Sequence, residues 1–395
     1  MGEDASALRW TAFLERWRDG AADREREHTL LFEAMDELRM LRFGAARLPA
    51  PSGGEAVGMV ELFTRVIALA ETDSNLAHVW RGHIAFVEGL IFDGLDSGAA
   101  ARWLPRIAAG EVVGNAFSER AATATLDTRL SRTGERILLD GAKYYTTGSL
   151  YADWIHLAAL DGEARVTLAV PAHARGVRIV DDWDGIGQPL TGSGTAVFDA
   201  VEVDPAEIEL GDADDDALPR RHYLAAVYQL CLLAVIAGVA QRAVADTAAF
   251  VRPRRRTFGF AGEVLPAEDP LVQLVVGEVS AAASTARRVV LSLAADLDAA
   301  REAGPDDLAD ALLEVHRAQH TVGELALAAT TRLFEVGGAS AVARAAGLDR
   351  HWRNVRTIAS HNPVLQRVRA IGRYELVGER PQWAAPGAPA TTENA

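Results

Sequence analysis

Cysteine is almost absent: the 395 residues include one, Cys231. A lone thiol cannot build a disulfide framework or a cysteine-rich metal site, and there is no His-Glu-x-x-His pair, so no metal is expected. Positive charge is also scarce. Lys plus Arg is 40 against 55 for Asp plus Glu, and the formal net charge of −15 argues against a nucleic-acid or anionic-membrane binder. Long apolar runs are few. The one that resembles a span, Leu224 to Ala240, is shorter than the roughly 20 residues a crossing needs and is interrupted by Gln229. It reads as a helix buried all round, with Cys231 an inert core residue. The first residues, Met-Gly-Glu-Asp-Ala-Ser, lack a charged-then-apolar leader, so a cytoplasmic protein is expected.

What is present fits a soluble globular chain. Hydrophobic residues make up 49% and charged residues 24%, and 395 residues at about 150 per domain suggest two to three domains. The first block, residues 1–114, reads as helical: Met59, Leu62, Phe63, Val66, Ile67 and Ala70 recur at three- and four-residue spacing. Asp73-Ser74 can cap a further helix running to Gly89, and a third is expected over Gly98 to Ala109. Residues 115–205 change to short alternating or β-branched runs: Thr123–Leu130, Arg136–Tyr145, Trp154–Leu160, Ala164–Val170, Val177–Asp181 and Gly194–Val203. Thr133-Gly134 and Asp161-Gly162 are hairpin signals between them. The pattern predicts a small antiparallel barrel or sandwich. Residues 206–381 return to long helices, roughly Arg221–Val251, Pro270–Ala303, Pro305–Val336 and Pro363–Val377, as a four-helix bundle requires. The tail at 382–395 is expected to be disordered. The fold class is therefore mainly α with a small central β domain.

Common catalytic patterns fail. Gly185-Ile-Gly187-Gln-Pro-Leu places Leu at the third glycine of a dinucleotide fingerprint and precedes a strand; no P-loop is present; Ser193 in Gly-Ser-Gly lacks the spacing of a nucleophile elbow. Other segments are more specific. Gly141-Ala-Lys-Tyr-Tyr-Thr-Thr-Gly148-Ser-Leu-Tyr-Ala-Asp153, Asn115-Ala-Phe-Ser-Glu119, Gly192-Ser-Gly-Thr195 and Arg256-Thr-Phe-Gly259 resemble, in that order of fold, the acyl-CoA dehydrogenase superfamily. Dehydrogenases of that family need a carboxylate beside the substrate carbon. The matching position falls at or beside Asn362, and no Asp or Glu lies between Val355 and Tyr374. Instead, Asp349-Arg-His-Trp-Arg-Asn354 followed by Thr357 and His361-Asn-Pro363 resembles the flavin-dependent monooxygenase branch typified by dibenzothiophene monooxygenases.

The resemblance implies a two-component enzyme. Reduced flavin, FMN in preference to FAD, comes from a separate flavin reductase, captures O2 as a C4a-hydroperoxide, and oxygenates S, N or aromatic C of a small molecule. It also implies a homotetramer built on the C-terminal bundle. By the same resemblance His361 is the first choice as hydrogen-bond donor to the peroxide, with Ser149 near flavin N5 and His78 toward the reactive edge. Asn115, Ser118, Thr146, Thr147 and Ser149 are expected to contact flavin, and Arg256 with Phe258 to hold the phosphate of a neighbouring subunit's flavin. Substrate contacts are expected from His83, Trp80 and Gly82, the last standing where the branch has a Tyr and so implying a pocket of different size. His361 before Asn362-Pro363 could instead belong to a capping turn, and a helix His is often a bonded core group. Trp183 stacks near the flavin or fills the barrel. An acyl-CoA dehydrogenase with bound FAD and a relocated base, and a degenerate scaffold subunit, are the competing readings.

Overall fold

The computed structural model describes residues 3–120, 126–210, 218–256 and 264–381. Seven helices come first: α1 (Glu3–Arg18), α2 (Ala21–Glu27), α3 (Phe32–Met40), α4 (Met59–Thr72), α5 (Ser74–Val79), α6 (Arg81–Asp93) and α7 (Gly98–Ala108). All six apolar residues spaced along α4 are buried, as their periodicity requires. Asp73 caps α5 by accepting from the Asn75 amide at 3.1 Å. The expected single helix from Asp73 to Gly89 is broken at Trp80 into α5 and α6.

The middle unit is one eight-stranded mixed sheet: β1 (Val113–Ala116), β2 (Arg129–Thr133), β3 (Arg136–Tyr144), β4 (Trp154–Asp161), β5 (Ala164–Pro171), β6 (Val177–Val180), β7 (Thr195–Val203) and β8 (Ile208–Leu210). The order runs β6-β7-β3-β2-β4-β5-β8, with β1 paired to β4. Both hairpin signals hold: Thr133 pairs with Arg136 around Gly134 (φ +63°), and Asp161 with Ala164 around Gly162 (φ +64°). An all-antiparallel sheet is not what forms, because β1 and β2 each run parallel to β4. The strand expected over Thr123–Leu130 is seen instead at Arg129–Thr133, residues 121–125 lying outside the described ones.

The last unit is built on α8 (Leu218–Val251), α9 (Pro270–Ala303), α10 (Pro305–Arg332) and α12 (Val364–Val377), with α11 (Asp349–Ala359) carrying the Asp-Arg-His-Trp-Arg-Asn stretch between the last two. Helix α8 is 34 residues long, so length does not exclude it as a span after all. Burial does: its apolar residues pack in the core shared by α4, α9 and α10, and Cys231 is buried among them. The Cys231 thiol is pushed up to about 12 by that burial, which keeps it protonated and inert.

Candidate flavin-oxygen site

The site begins where β1 and β3 meet the loop after β3. Lys143 of the Gly-x-Lys segment is buried and its Nζ lies 2.6 Å from Glu119 Oε1. Burial outweighs the pair at Lys143 and lowers its pKa; at Glu119 the Lys143 ion pair and further donors from Asp127 and Thr128 outweigh burial and keep the carboxylate charged. This pair fastens the chain after Asn115 to the flavin-segment loop. Ser118 adds its carbonyl, which accepts from the Tyr144 amide at 2.9 Å. In the loop, Thr146 Oγ1 donates to Gly194 O at 3.0 Å, and Thr147 Oγ1 lies 2.7 Å from Ser193 Oγ. Gly148 has φ +85°, and a Cβ there would sit 2.5 Å from the Val79 carbonyl. The loop therefore docks against the end of α5, leaving Ser149 buried with one long contact, 3.4 Å, to Asn115 O.

Helix α5 brings His78 to this loop. Its Nδ1 lies 3.1 Å from Gln188 Oε1, and Gln188 Nε2 donates to Ser74 Oγ at 2.8 Å. The amide thus shows its oxygen to the ring, so Nδ1 carries the proton and Nε2 is a bare acceptor. That Nε2 is buried without a partner among the described residues. Burial, then the nearby Arg81, lowers His78 to about 3, so the ring is neutral at physiological pH. Gln188 itself holds φ +56°, a conformation a non-glycine residue adopts at a cost. It is pinned there by Asn354 of α11, whose Oδ1 accepts from the Gln188 amide at 2.7 Å while its Nδ2 donates to Glu25 Oε1 at 2.6 Å.

His361, on the turn between α11 and α12, closes the other side. Arg81 Nη1 donates to His361 Nε2 at 3.1 Å, which leaves the imidazole proton on Nδ1. Its pKa falls well below the ordinary value through burial first, then Arg81, then His78. The outer face of His361 is open to solvent, which softens the burial effect, but the guanidinium disfavours the imidazolium regardless. Asn362 is not a free cap; its Nδ2 donates to Gln229 Oε1 on α8 at 2.7 Å.

The structure thus brings His78, His361, Asn115, Ser149, Thr146 and Thr147 into one neighbourhood. Of the three expected substrate contacts, two stand in the core and the third, Gly82, lies against Asn115. His83 is fully buried with both ring nitrogens engaged by backbone, Gly44 O at 3.1 Å and the Val113 amide at 3.1 Å, so it is a core group. Trp80 packs edge-on against Phe43 and His83 in the core. Gly82 opens no pocket: a Cβ there would lie 2.5 Å from Asn115 Oδ1, and the missing side chain lets α6 approach β1. Trp183 hydrogen-bonds Gly187 O and packs against Tyr145. Arg256 is exposed at the edge of a described segment, and Phe258 lies outside the described residues. Arg81 and Gln188 were missed by the sequence reading; only the non-glycine residue between Gly187 and Pro189 hints at a special turn. A cleft of about 310 Å³ lined by Arg18, Arg242, Asp246 and Arg350 lies apart, and its charges largely pair with one another.

Of the atoms buried without a partner among the described residues, His78 Nε2 and Asn115 Oδ1 belong to this neighbourhood, and Ser149 Oγ has hydrogen-bonding capacity to spare. Buried polar groups are normally satisfied. Donor and acceptor capacity of this kind, beside the close-packed Gly114 and Gly148, suits the edge of a flat heterocycle with both N–H and C=O groups, and so fits flavin. No carboxylate contributes to the electrostatics around His78, Arg81 or His361, so the base a dehydrogenase needs is missing from among the described residues here.

The fold and this site define an acyl-CoA dehydrogenase-type flavoprotein without the dehydrogenase base. The acyl-CoA dehydrogenase C-terminal domain family matches residues 230–365. The chain is 26% identical to dibenzothiophene monooxygenase of Rhodococcus qingshengii over 93% of this chain and 92% of that protein. It is 30% identical to the amino sugar nitrososynthase DnmZ of Streptomyces peucetius over 85% and 83%, and 28% identical to the probable FMNH2-dependent monooxygenase SfnC of Pseudomonas putida over 85% of each. TdsC of Paenibacillus sp. A11-2, solved with FMN and indole, superposes with a TM-score of 0.88 at 25% identity, covering 97% and 99% of the two chains. The chain belongs to the flavin-dependent monooxygenase branch of the acyl-CoA dehydrogenase superfamily.

Proposed function

We propose that this chain is the oxygenating component of a two-component system, with reduced FMN delivered by a separate reductase, and that its chemistry runs between His78 and His361. The observation that carries this is the pair of neutral imidazoles with opposite offers: His78 a bare Nε2, His361 an Nδ1–H, set around a guanidinium with no carboxylate partner among the described residues. Bound reduced FMN supplies the electrons that activate O2 for transfer of one oxygen atom to substrate. Asn115 and Ser149 hold the ring edge, Thr146, Thr147 and Ser118 shape the loop around it, and Arg256 with Phe258 serve a neighbouring copy. His361 donates its Nδ1 proton in a hydrogen bond to the oxygen being transferred. His78 Nε2, too weakly basic to hold a proton, accepts a hydrogen bond from a donor at the same place. Gln188 and Asn354 fix the His78 tautomer, while the loop and α5 keep water out.

A homotetramer through the C-terminal bundle is supported by exposed apolar residues on α12, among them Leu365, Leu376 and Val377. A cytoplasmic location and an S, N or aromatic C target complete the reading. The test is to bind reduced FMN without oxygen, admit O2, and follow the flavin spectrum. Reoxidation slower than that of free FMN, through a species distinct from both end states, is expected. Reoxidation at the free rate, or tight FAD bleached by an acyl-CoA, would overturn the proposal.

A further inference from the structure

Among the described residues three cations are buried: Arg81, Lys143 and Arg350. Two have carboxylates, Lys143 with Glu119 at 2.6 Å and Arg350 with Asp246 at 2.8 Å. Arg81, 8% exposed, has none within 4.0 Å. Its Nε donates to Tyr228 O at 3.2 Å, its Nη1 to His361 at 3.1 Å, and the Tyr228 ring covers its face at 4.8 Å. Nη2 has no partner among the described residues. Tyr228 and Cys231, the groups that favour its charge, are both neutral at physiological pH, their pKa values pushed up to about 12. A buried, uncompensated guanidinium is costly, and burial accordingly lowers the Arg81 pKa. Such a group is retained where an anion completes it.

We propose that Arg81 binds the anionic group of the substrate, so that the enzyme takes a small organic oxyanion, a carboxylate or sulfinate, that also carries the atom to be oxygenated. This rests on the monooxygenase reading above. Guanidinium matches such oxyanions in shape as well as charge. The other candidate anion is the reduced flavin, and the helix geometry disfavours it. Successive residues of a helix point about 100° apart. Gly82 faces Asn115 on β1, the flavin wall, whereas Arg81 reaches across to α8 and His361. Arg81 thus stands on the wall opposite the strand and loop that suit the flavin edge, next to the imidazole that addresses the transferred oxygen. The anion would be held while its reactive atom is presented to His361.

The test compares benzoate with its neutral isostere benzamide, titrated onto the FMN-loaded protein and onto its Arg81→Met and Arg81→Lys variants by calorimetry. Benzoate is expected to bind at least tenfold more tightly than benzamide to the native protein. Arg81→Met should abolish that preference, Arg81→Lys should retain part of it, and FMN affinity should stay within a few-fold in both. Arg81→Met should also fold at least as stably as the native chain, since a buried unpaired charge gives way to an apolar side chain of similar length. Equal binding of the two probes to native protein, or a benzoate preference that survives in Arg81→Met, would overturn the proposal. So would loss of FMN affinity in both variants, which would make Arg81 a flavin contact. The oxygen-admission experiment is run on the native sample, because Arg81 also fixes the His361 tautomer. If slow reoxidation is present without anion preference, only this inference fails; if it is absent, the functional reading fails first.

Discussion

Replacing Asn354 by Ala should disarm His78 without touching it. The Asn354 side chain makes two short hydrogen bonds, 2.7 Å from the Gln188 amide and 2.6 Å to Glu25 Oε1. Orphaning the Gln188 N–H costs about 1–3 kcal/mol, and removing a donor from a buried carboxylate a similar amount. Glu25 is poorly placed to lose it, because burial already raises its pKa and its Oε2 is buried without a partner. Against this, Gln188 is freed from φ +56° and recovers about 1 kcal/mol or more. The net loss is about 1–5 kcal/mol, which in a chain of 395 residues is a fall in Tm of roughly 1–6 °C. Differential scanning calorimetry reads that fall, and peroxide release from the FMN-loaded protein reads the disordering of His78. A second variant, Gln188→Gly, tolerates the positive φ but removes the buried partner of His78 and Ser74, so it should release peroxide faster and also lose some Tm. An Asn354→Ala protein with native Tm and native peroxide release would refute the network.

Three further outcomes follow from the same structure. Glu119→Gln leaves Lys143 buried without its countercharge and should cost about 3–5 kcal/mol, read as a large drop in Tm and weaker FMN binding; native stability would contradict the role of the ion pair. His78 and His83 are buried neutral, with pKa values lowered to about 3 and about 4, below the unfolded value near 6.5. Their stability contribution is complete above pH 6.5 and is lost as pH falls toward those values, by about 3 kcal/mol per pH unit for the pair once well below 6.5; replacing both with Asn should flatten the acid limb of a Tm-against-pH curve. Gly148→Ala should weaken FMN binding more than tenfold, because φ +85° and the Val79 carbonyl both exclude a Cβ, and unchanged affinity would sever the loop from the site.

Local signals were legible in the sequence. The apolar stripe of α4, the Asp73 cap, both glycine hairpins and the long bundle helices follow from periodicity and turn chemistry, which act over a few residues. Motif resemblance reached further, bringing Asn115, Ser149, His78 and His361 together although they lie far apart in the chain. What stayed hidden depends on pairings across the fold. Parallel β1–β4 pairing, the Lys143–Glu119 ion pair and the Arg81–His361 contact each join distant segments, and no local rule predicts them. Helix α8 misled by length, since its polar first turns extend an apolar run into a helix of 34 residues. His83 and Trp80 misled by neighbourhood. Adjacent to His78 in sequence, they face the core, because a helix turns about 100° per residue and this one is interrupted at Trp80.

The most direct test is the fate of oxygen in the His361→Ala protein. Native protein and variant are each loaded with reduced FMN, mixed with O2 in the absence of substrate, and the hydrogen peroxide set free is trapped and timed. The neutral Nδ1 donor assigned to His361 predicts FMN affinity within a few-fold of native, and peroxide release accelerated toward the rate of FMN without protein. Peroxide release at the native rate from His361→Ala would contradict the account at its centre.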